Sequence, residues 1–230
     1  MTVPILTLRP EPGSSATIGA GHEAGLTIEA CPLFEVRPLA WDPPSAESVD
    51  GLLLGSANAL RHAGPGLDLF RGKPVHAVGE ATARAAEAVG FTVATVGPGS
   101  LQSLVDELAP PLRLLRITGA EHVPVAPPPG IEMETRVAYE SAPMPLPGAV
   151  ASRIGEGALV LLHSAAAARH FAAECDRLGV PRSRVRLAAL GPRIAAAAGE
   201  GWAEVRSATE PREPPLLALA RDMCHERPSA

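Results

Sequence analysis

The chain has 230 residues, 46% hydrophobic and 20% charged, which excludes wholesale disorder and leaves room for one large or two small domains. Aromatics at 3% deprive it of stacking platforms for bases, and a formal net charge of −5 gives no global field for a polyanion, so no nucleic acid partner is expected and any anionic ligand needs a locally positive cleft. No apolar run reaches about 18 residues, MTVPILTLRPEP lacks a signal-peptide pattern, and Cys31, Cys175 and Cys224 show no CxxC spacing; a complete cytoplasmic chain with buried, reduced thiols and no membrane partner is expected.

Between dense Pro and Gly punctuation, short apolar runs alternate with helix-like stretches, the sequence form of a parallel α/β architecture. The first strand, ILTL from Ile5, is followed at once by Arg9. Pro32 to Leu39 reads as extended and proline-edged, and a strand over DGLLL from Asp50 runs into the turn Gly55-Ser56-Ala57-Asn58. Val75 to Val96 reads as a βαβ unit: a strand ending at Gly79, a helix with Ala81, Ala85 and Ala88 inward and Glu80 paired with Arg84, and Gly90 stopping it before the next strand. Leu101, Leu104, Val105 and Leu108 follow helical spacing up to Pro110. After a strand from Arg113 to Thr118, prolines at 124, 127, 128 and 129 lack the donors a helix interior needs, so that crossover is expected to be a loop.

Met133 to Pro143 is a second extended stretch. Val160 to Pro181 forms a strand and a helix with Phe171, Cys175 and Leu178 on one stripe, closed by Gly179. Arg182, Arg184 and Arg186 alternate ahead of the next strand and read as a solvated edge. That strand closes at Gly191-Pro192-Arg193, and Leu216 to Met223 forms an amphipathic helix.

Laid on itself, the chain repeats. LLLGSANALRHA from Leu52 matches VLLHSAAAARHF from Val160 at seven of twelve positions, with an offset of 108 between Ser56 and Ser164. Gly79 falls on Gly191 and Leu104 on Leu216 at an offset of 112; GLTIEACPLFEVRP from Gly25 lies over GIEMETRVAYESAP from Gly130 at 105. Several ordered matches at nearly constant offset favour two copies of one fold over chance similarity among Ala- and Leu-rich segments, and the repeat leaves open whether each domain takes its strands from one copy or exchanges them. Reading the two extended stretches, 32–41 and 133–143, as connecting strands places one domain at 42–135 and the other, discontinuous, at 1–37 plus 142–230.

Ligands of open parallel sheets bind beyond the carboxyl ends of the strands. Four turns of small residues stand there: Gly55-Ser56-Ala57-Asn58, Gly79-Glu80-Ala81-Thr82, His163-Ser164-Ala165-Ala166 and Gly191-Pro192-Arg193. Such turns expose first-turn N–H groups that can take carboxylate or phosphate oxygens, or Ser56, Thr82 and Ser164 serve merely as N-caps. No dinucleotide fingerprint, P-loop or GxSxG elbow appears, and seven histidines show neither HExxH nor Cys/His pairing, so neither a nucleotide cofactor nor a metal is expected. Strong acid/base pairs are absent from the sequence pattern. Arg9 takes a cleft-facing position, and Tyr139, the single tyrosine, either packs its ring at a domain junction or offers a phenol donor to a departing group.

ILTLRPEP, DGLLLGSANAL, VHAVGEATARAAEAVGF, the glycine of RITGAE at Gly119, VAYES, LLHSAAAARHF and LAALGPRIAAAA, in this order and spacing, resemble the uroporphyrinogen-III synthase family over nearly the whole chain. The resemblance implies two similar flavodoxin-like α/β domains, each a parallel sheet flanked by helices, joined by a two-stranded connector. It also implies a cofactor-free monomer that binds the linear tetrapyrrole hydroxymethylbilane. The family's reaction loses the terminal hydroxyl as water, and the azafulvene cation attacks the substituted carbon of ring D. The spiro intermediate then fragments and recloses with that ring inverted. Tyr139 matches the tyrosine proposed to assist hydroxyl departure, and Ser56, Thr82 and Ser164 match turn hydroxyls facing the cleft. The chain departs from the pattern at Gly55, where threonine is common, at Arg193-Ile194, where paired hydroxyls are frequent, and at Pro124 to Pro129; Arg193 is expected to replace lost hydroxyls by pairing with a substrate carboxylate. A non-catalytic cleft protein for a small organic anion and an inactive paralogue are the alternatives, while a receiver domain lacks its acidic cluster, since Thr7 and Arg9 occupy that position.

Overall fold

A computed structural model describes residues 3–97 and 99–225. Its strands are β1 (Ile5–Thr7), β2 (Ile28–Ala30), β3 (Phe34–Pro38), β4 (Gly51–Leu54), β5 (Val75–Val78), β6 (Val93–Gly97), β7 (Leu112–Gly119), β8 (Ile131–Pro143), β9 (Ala158–Leu162), β10 (Val185–Ala189) and β11 (Glu204–Ser207). The helices are α1 (Gly13–Glu23), α2 (Ala57–His62), α3 (Glu80–Ala88), α4 (Leu101–Asp106), α5 (Gly148–Gly155), α6 (Ala165–Leu178), α7 (Pro192–Ala197) and α8 (Glu213–His225).

The chain divides into two compact units, one running up to Glu35 and resuming at Pro143, the other being Val36–Ala142. It passes from one to the other within β3 and at the end of β8, which are neighbours in one sheet. The first unit has strand order β2-β1-β9-β10-β11, parallel at every pairing. The second has β8-β7-β4-β5-β6, also parallel, with β3 beyond β8. Superposing the repeat on these orders shows that the copies exchange strands: β4, β5 and β6 correspond to β9, β10 and β11, yet β4 pairs with β7 of the second copy and β9 with β1 of the first.

Both faces of each sheet are covered, which is why the inner strands are continuous apolar runs. In β9, Ala158, Val160 and Leu162 join Phe171 and Cys175 of α6, while Leu159 and Leu161 join Leu216, Leu217 and Met223 of α8. In β4, Leu52 and Leu54 pack with Phe70, Ala83 and Ala86, and Leu53 packs with Leu104 and Val105 of α4. Burial pushes the Cys175 thiol up to about 12. Cys31 is buried too, but Cys224, in the last turn of α8, is only half-buried.

Two expectations change. In α3 the buried residues are Thr82, Ala83 and Ala86, while Ala81 and Ala88 are exposed; alanine at 81, 83, 85, 86 and 88 leaves the phase of the apolar stripe undetermined. The arginine triplet is no solvated edge. β10 lies between β9 and β11, Arg182–Arg184 is a single 3-10 turn, and Arg186 is buried with Nη1 donating to the Met223 carbonyl. Arg182 instead stacks over Trp202 and pairs with Asp176 at 2.6 Å, because a turn rather than a strand sets its direction. The proline-rich crossover between β7 and β8 carries no helix, since four residues in it lack backbone donors.

Candidate functional site

Strand order reverses between β1 and β9 in the first unit and between β7 and β4 in the second. At such a switch point the flanking connections leave on opposite faces of the sheet, opening a crevice beyond the strand ends.

At the first switch point, Arg9 follows β1 and His163 follows β9, and Glu213 at the start of α8 joins them. Arg9 Nη1 donates to Thr17 Oγ1 at 3.1 Å and to Glu213 Oε2 at 3.2 Å, the Thr17 hydroxyl donates to Glu213 Oε1 at 2.7 Å, and His163 Nε2 lies 3.2 Å from both carboxylate oxygens. Burial pushes the Glu213 carboxyl upward, but hydrogen bonds from His163 and Thr17 and the charges of His163 and Arg9 outweigh it and hold the group below its ordinary value. His163 Nδ1 is buried with no hydrogen-bond partner among the described residues. The expected absence of an acid/base pair is therefore corrected: histidine and carboxylate meet across 50 residues of sequence. Arg9 is engaged within the unit, its guanidinium so close over Gly13 that a Cβ there would meet Nε at 2.6 Å. Ser164 caps α6 by accepting from Ala167 N at 3.1 Å, and Ala165 opens that helix. A cavity of about 350 Å³ nearby is lined by Ala165, Gly191, Arg193, Ile194 and Pro211. Gly191 caps α7 in extended backbone, which does not demand glycine.

At the second switch point a cavity of about 390 Å³ has Gly55, Ser56, Arg116, Thr118, His122 and Tyr139 in its wall. Gly119 backs directly on the tyrosine, where a Cβ would meet ring atom Cε2 at 2.6 Å, and the His62 ring lies 6.2 Å from the Tyr139 ring. Ser56 caps α2 by accepting from Asn58 N at 3.2 Å, with Ala57 as the first helical residue, and the Asn58 side chain accepts from Arg61. A side chain at 55 would meet Leu101 Cδ1 at 2.8 Å, so the glycine there has a packing reason. Gly79 caps α3 at φ +75, a conformation that favours glycine. Val78, the last residue of β5, reaches the cavity wall, while in the turn itself Ala81 is exposed and Thr82 is buried.

The structure thus places Ser56 and Tyr139 in the wall of one cavity with Gly119 behind the tyrosine, joins Arg9 and His163 through Glu213, and sets Ala165, Gly191 and Arg193 around a separate cavity. Glu213, Thr17, Arg116 and His122 were missed. Among the described residues, no group of three or more His, Cys, Asp or Glu side chains is arranged to hold a metal, and no helix is long and apolar enough to cross a membrane.

These features define a two-unit parallel α/β protein with a cluster of polar side chains at the first unit's switch point and a cavity at the second's. The family model described as uroporphyrinogen-III synthase HemD matches residues 15–218, and the chain belongs to that family. Its activity is that of a cyclising, cofactor-independent lyase of tetrapyrrole synthesis, converting hydroxymethylbilane to uroporphyrinogen III with ring D inverted. Among solved structures, the uroporphyrinogen-III synthetase of Helicobacter pylori 26695 shares the fold with a TM-score of 0.66 at 16% identity, over 96% of this chain and 99% of that one. A mutant uroporphyrinogen III synthase of the extremely thermophilic bacterium Thermus thermophilus aligns with a TM-score of 0.50 at 20% identity, over 97% and 100%. No curated protein sequence matches significantly.

Proposed function

We propose that the chemistry takes place at the switch-point cavity of the second unit, with Tyr139 donating a hydrogen bond to the hydroxyl that leaves. The C–O bond of the hydroxymethyl group breaks, the oxygen departs as water, and the pyrrole nitrogen stabilises the cation that remains. That cation attacks the substituted carbon of ring D; the spiro intermediate fragments, and reclosure with loss of a proton gives the inverted macrocycle. Hydroxymethylbilane closes unaided to the uninverted isomer, so the protein's main task is conformational: holding the carboxylate arms so that inverted closure is faster.

Backbone amides of the turns at Gly55–Asn58, Gly79–Thr82, His163–Ala165 and Gly191–Arg193 hold those arms, and Arg193 pairs with one of them. The enzyme works as a cytoplasmic monomer without nucleic acid, cofactor or metal. The observation that carries this reading is the cavity of about 390 Å³ with Ser56 and Tyr139 in its wall and Gly119 pressed against the tyrosine ring. Incubation with freshly made hydroxymethylbilane, followed by isomer analysis of the oxidised porphyrin, tests it. Excess type III isomer supports the reading, and type I alone rejects it.

A further inference from the structure

Arg116 occupies the middle of β7, opposite Leu53 of β4 and Thr135 of β8, and is only 3% exposed. A guanidinium at such a depth ordinarily has a carboxylate beside it, because an unpaired buried charge is costly. Among the described residues Arg116 makes no ion pair. Nη2 donates to the Val123 carbonyl at 2.8 Å, and Nε is buried with no hydrogen-bond partner among the described residues. Burial pushes its pKa down, and the Tyr139 phenol is the group that pulls it the other way.

The side chain also lines the cavity that holds Ser56, Ser100, His122 and Tyr139. The carboxylate in that wall, Glu121, is exposed and does not pair with it. Holding the proline-rich loop does not require this charge. Gln102 Nε2 donates to the Ala126 carbonyl at 2.8 Å, Ala126 N donates back to Gln102 Oε1 at 2.9 Å, and His122 Nδ1 lies 2.9 Å from the Gly119 carbonyl. A methionine could fill the same volume without desolvating a cation.

We infer that Arg116 is a carboxylate anchor for the substrate: its guanidinium takes an acidic arm of the linear tetrapyrrole inside the cavity that contains Tyr139. This rests on the reading proposed above. Because the phenol and the guanidinium share one cavity, the anchored arm belongs to the terminal ring that bears the hydroxymethyl group. Charge-assisted pairing in a site already stripped of water is strong and geometrically selective, and it fixes that ring before the C–O bond breaks.

The test compares wild type with Arg116→Met, Arg116→Lys and Gln102→Ala. It uses anaerobic calorimetric titration with uroporphyrinogen III, steady-state kinetics with hydroxymethylbilane, and thermal melts. Arg116→Met is expected to melt close to wild type yet to raise Kd and KM about tenfold or more, with kcat changed less. Arg116→Lys recovers part of the loss as a point charge without the fork. Gln102→Ala, in the wall of the same cavity, loosens the loop without removing a charge and costs less affinity than Arg116→Met. The inference is overturned if wild type fails to bind uroporphyrinogen III, if Arg116→Met binds it within twofold of wild type, or if Gln102→Ala weakens binding as much. A wild-type chain that binds through Arg116 but releases only type I isomer sinks the proposed reaction and leaves the anchor standing.

Discussion

Replacing Gly119 with alanine isolates the placement of the tyrosine from its chemistry. Gly119 is not at positive φ, so alanine is tolerated by the backbone and the effect is steric. The added Cβ would stand 2.6 Å from Tyr139 Cε2 and 3.0 Å from Cζ, while ordinary contact begins near 3.4 Å, so the ring edge must retreat by about 0.8 Å. Tyr139 is partly exposed and borders the cavity, so the ring gives way before the sheet does, and the stability cost stays near the lower end of overpacking, about 1 kcal/mol. Displacement of a reacting group by about 1 Å can cost up to ~10²-fold, and we expect Gly119→Ala to lower kcat about tenfold, or ~1.4 kcal/mol of barrier. The assay resolves the two isomers: as the enzymatic rate falls, unaided closure raises the type I fraction. If Gly119 acts by aiming the phenol, the substitution should cost almost nothing in a Tyr139→Phe background. Wild-type kcat and isomer ratio in Gly119→Ala, or an undiminished loss in the Phe background, would refute the reasoning.

Glu174 of α6 accepts from Leu146 N at 2.6 Å and from Arg177 Nε and Nη2 at 2.8 and 2.6 Å, and the Arg177 hydrogen bond, assisted by the Leu146 N–H, lowers its pKa from 4.5 to about 2. With Arg177 half-exposed, most of the gain comes from the buried N–H, so Glu174→Ala should cost about 2–3 kcal/mol in urea unfolding at pH 7. The carboxylate's contribution is fully present above the unfolded value of 4.5 and is lost as pH falls toward about 2, so the gap to wild type should narrow over that window; a gap independent of pH would refute the assignment. Arg193 is exposed beside the cavity in the first unit, and Arg193→Ala should raise KM severalfold with an unchanged melting temperature, whereas KM within twofold of wild type removes it from the binding surface.

The apolar runs announced the inner strands because each is buried on two faces, and Gly79 and Gly179 marked helix ends where positive φ is required. Correspondence between the copies was visible too, but partnership was not. An offset of 108 aligns Ser56 with Ser164 without saying whether β9 pairs with β1 or with β7, since parallel pairing joins segments that the chain brings together only at the tertiary level. The arginine triplet misled for a related reason. Alternation implies a common face only within a strand, and Arg182–Arg184 lies in a turn.

The same limit explains which site residues escaped notice. Tyr139 could be singled out because it is the one tyrosine, whereas Glu213 acquires meaning only through Arg9, 204 residues away. One signal was available: an arginine in LRLLRITG between Leu115 and Ile117 has to point into a strand interior, and β7 does bury it. Set side by side, the twin switch points have diverged in how their cations are satisfied. In the first unit Glu213 neutralises Arg9. In the second, Arg116 has no carboxylate among the described residues and donates to a carbonyl oxygen, so the demand for a negative partner persists there. At these corresponding places the cation is neutralised by a glutamate in one unit and, among the described residues, by none in the other, so the first unit's hold on acidic arms rests on its turn amides and on exposed Arg193.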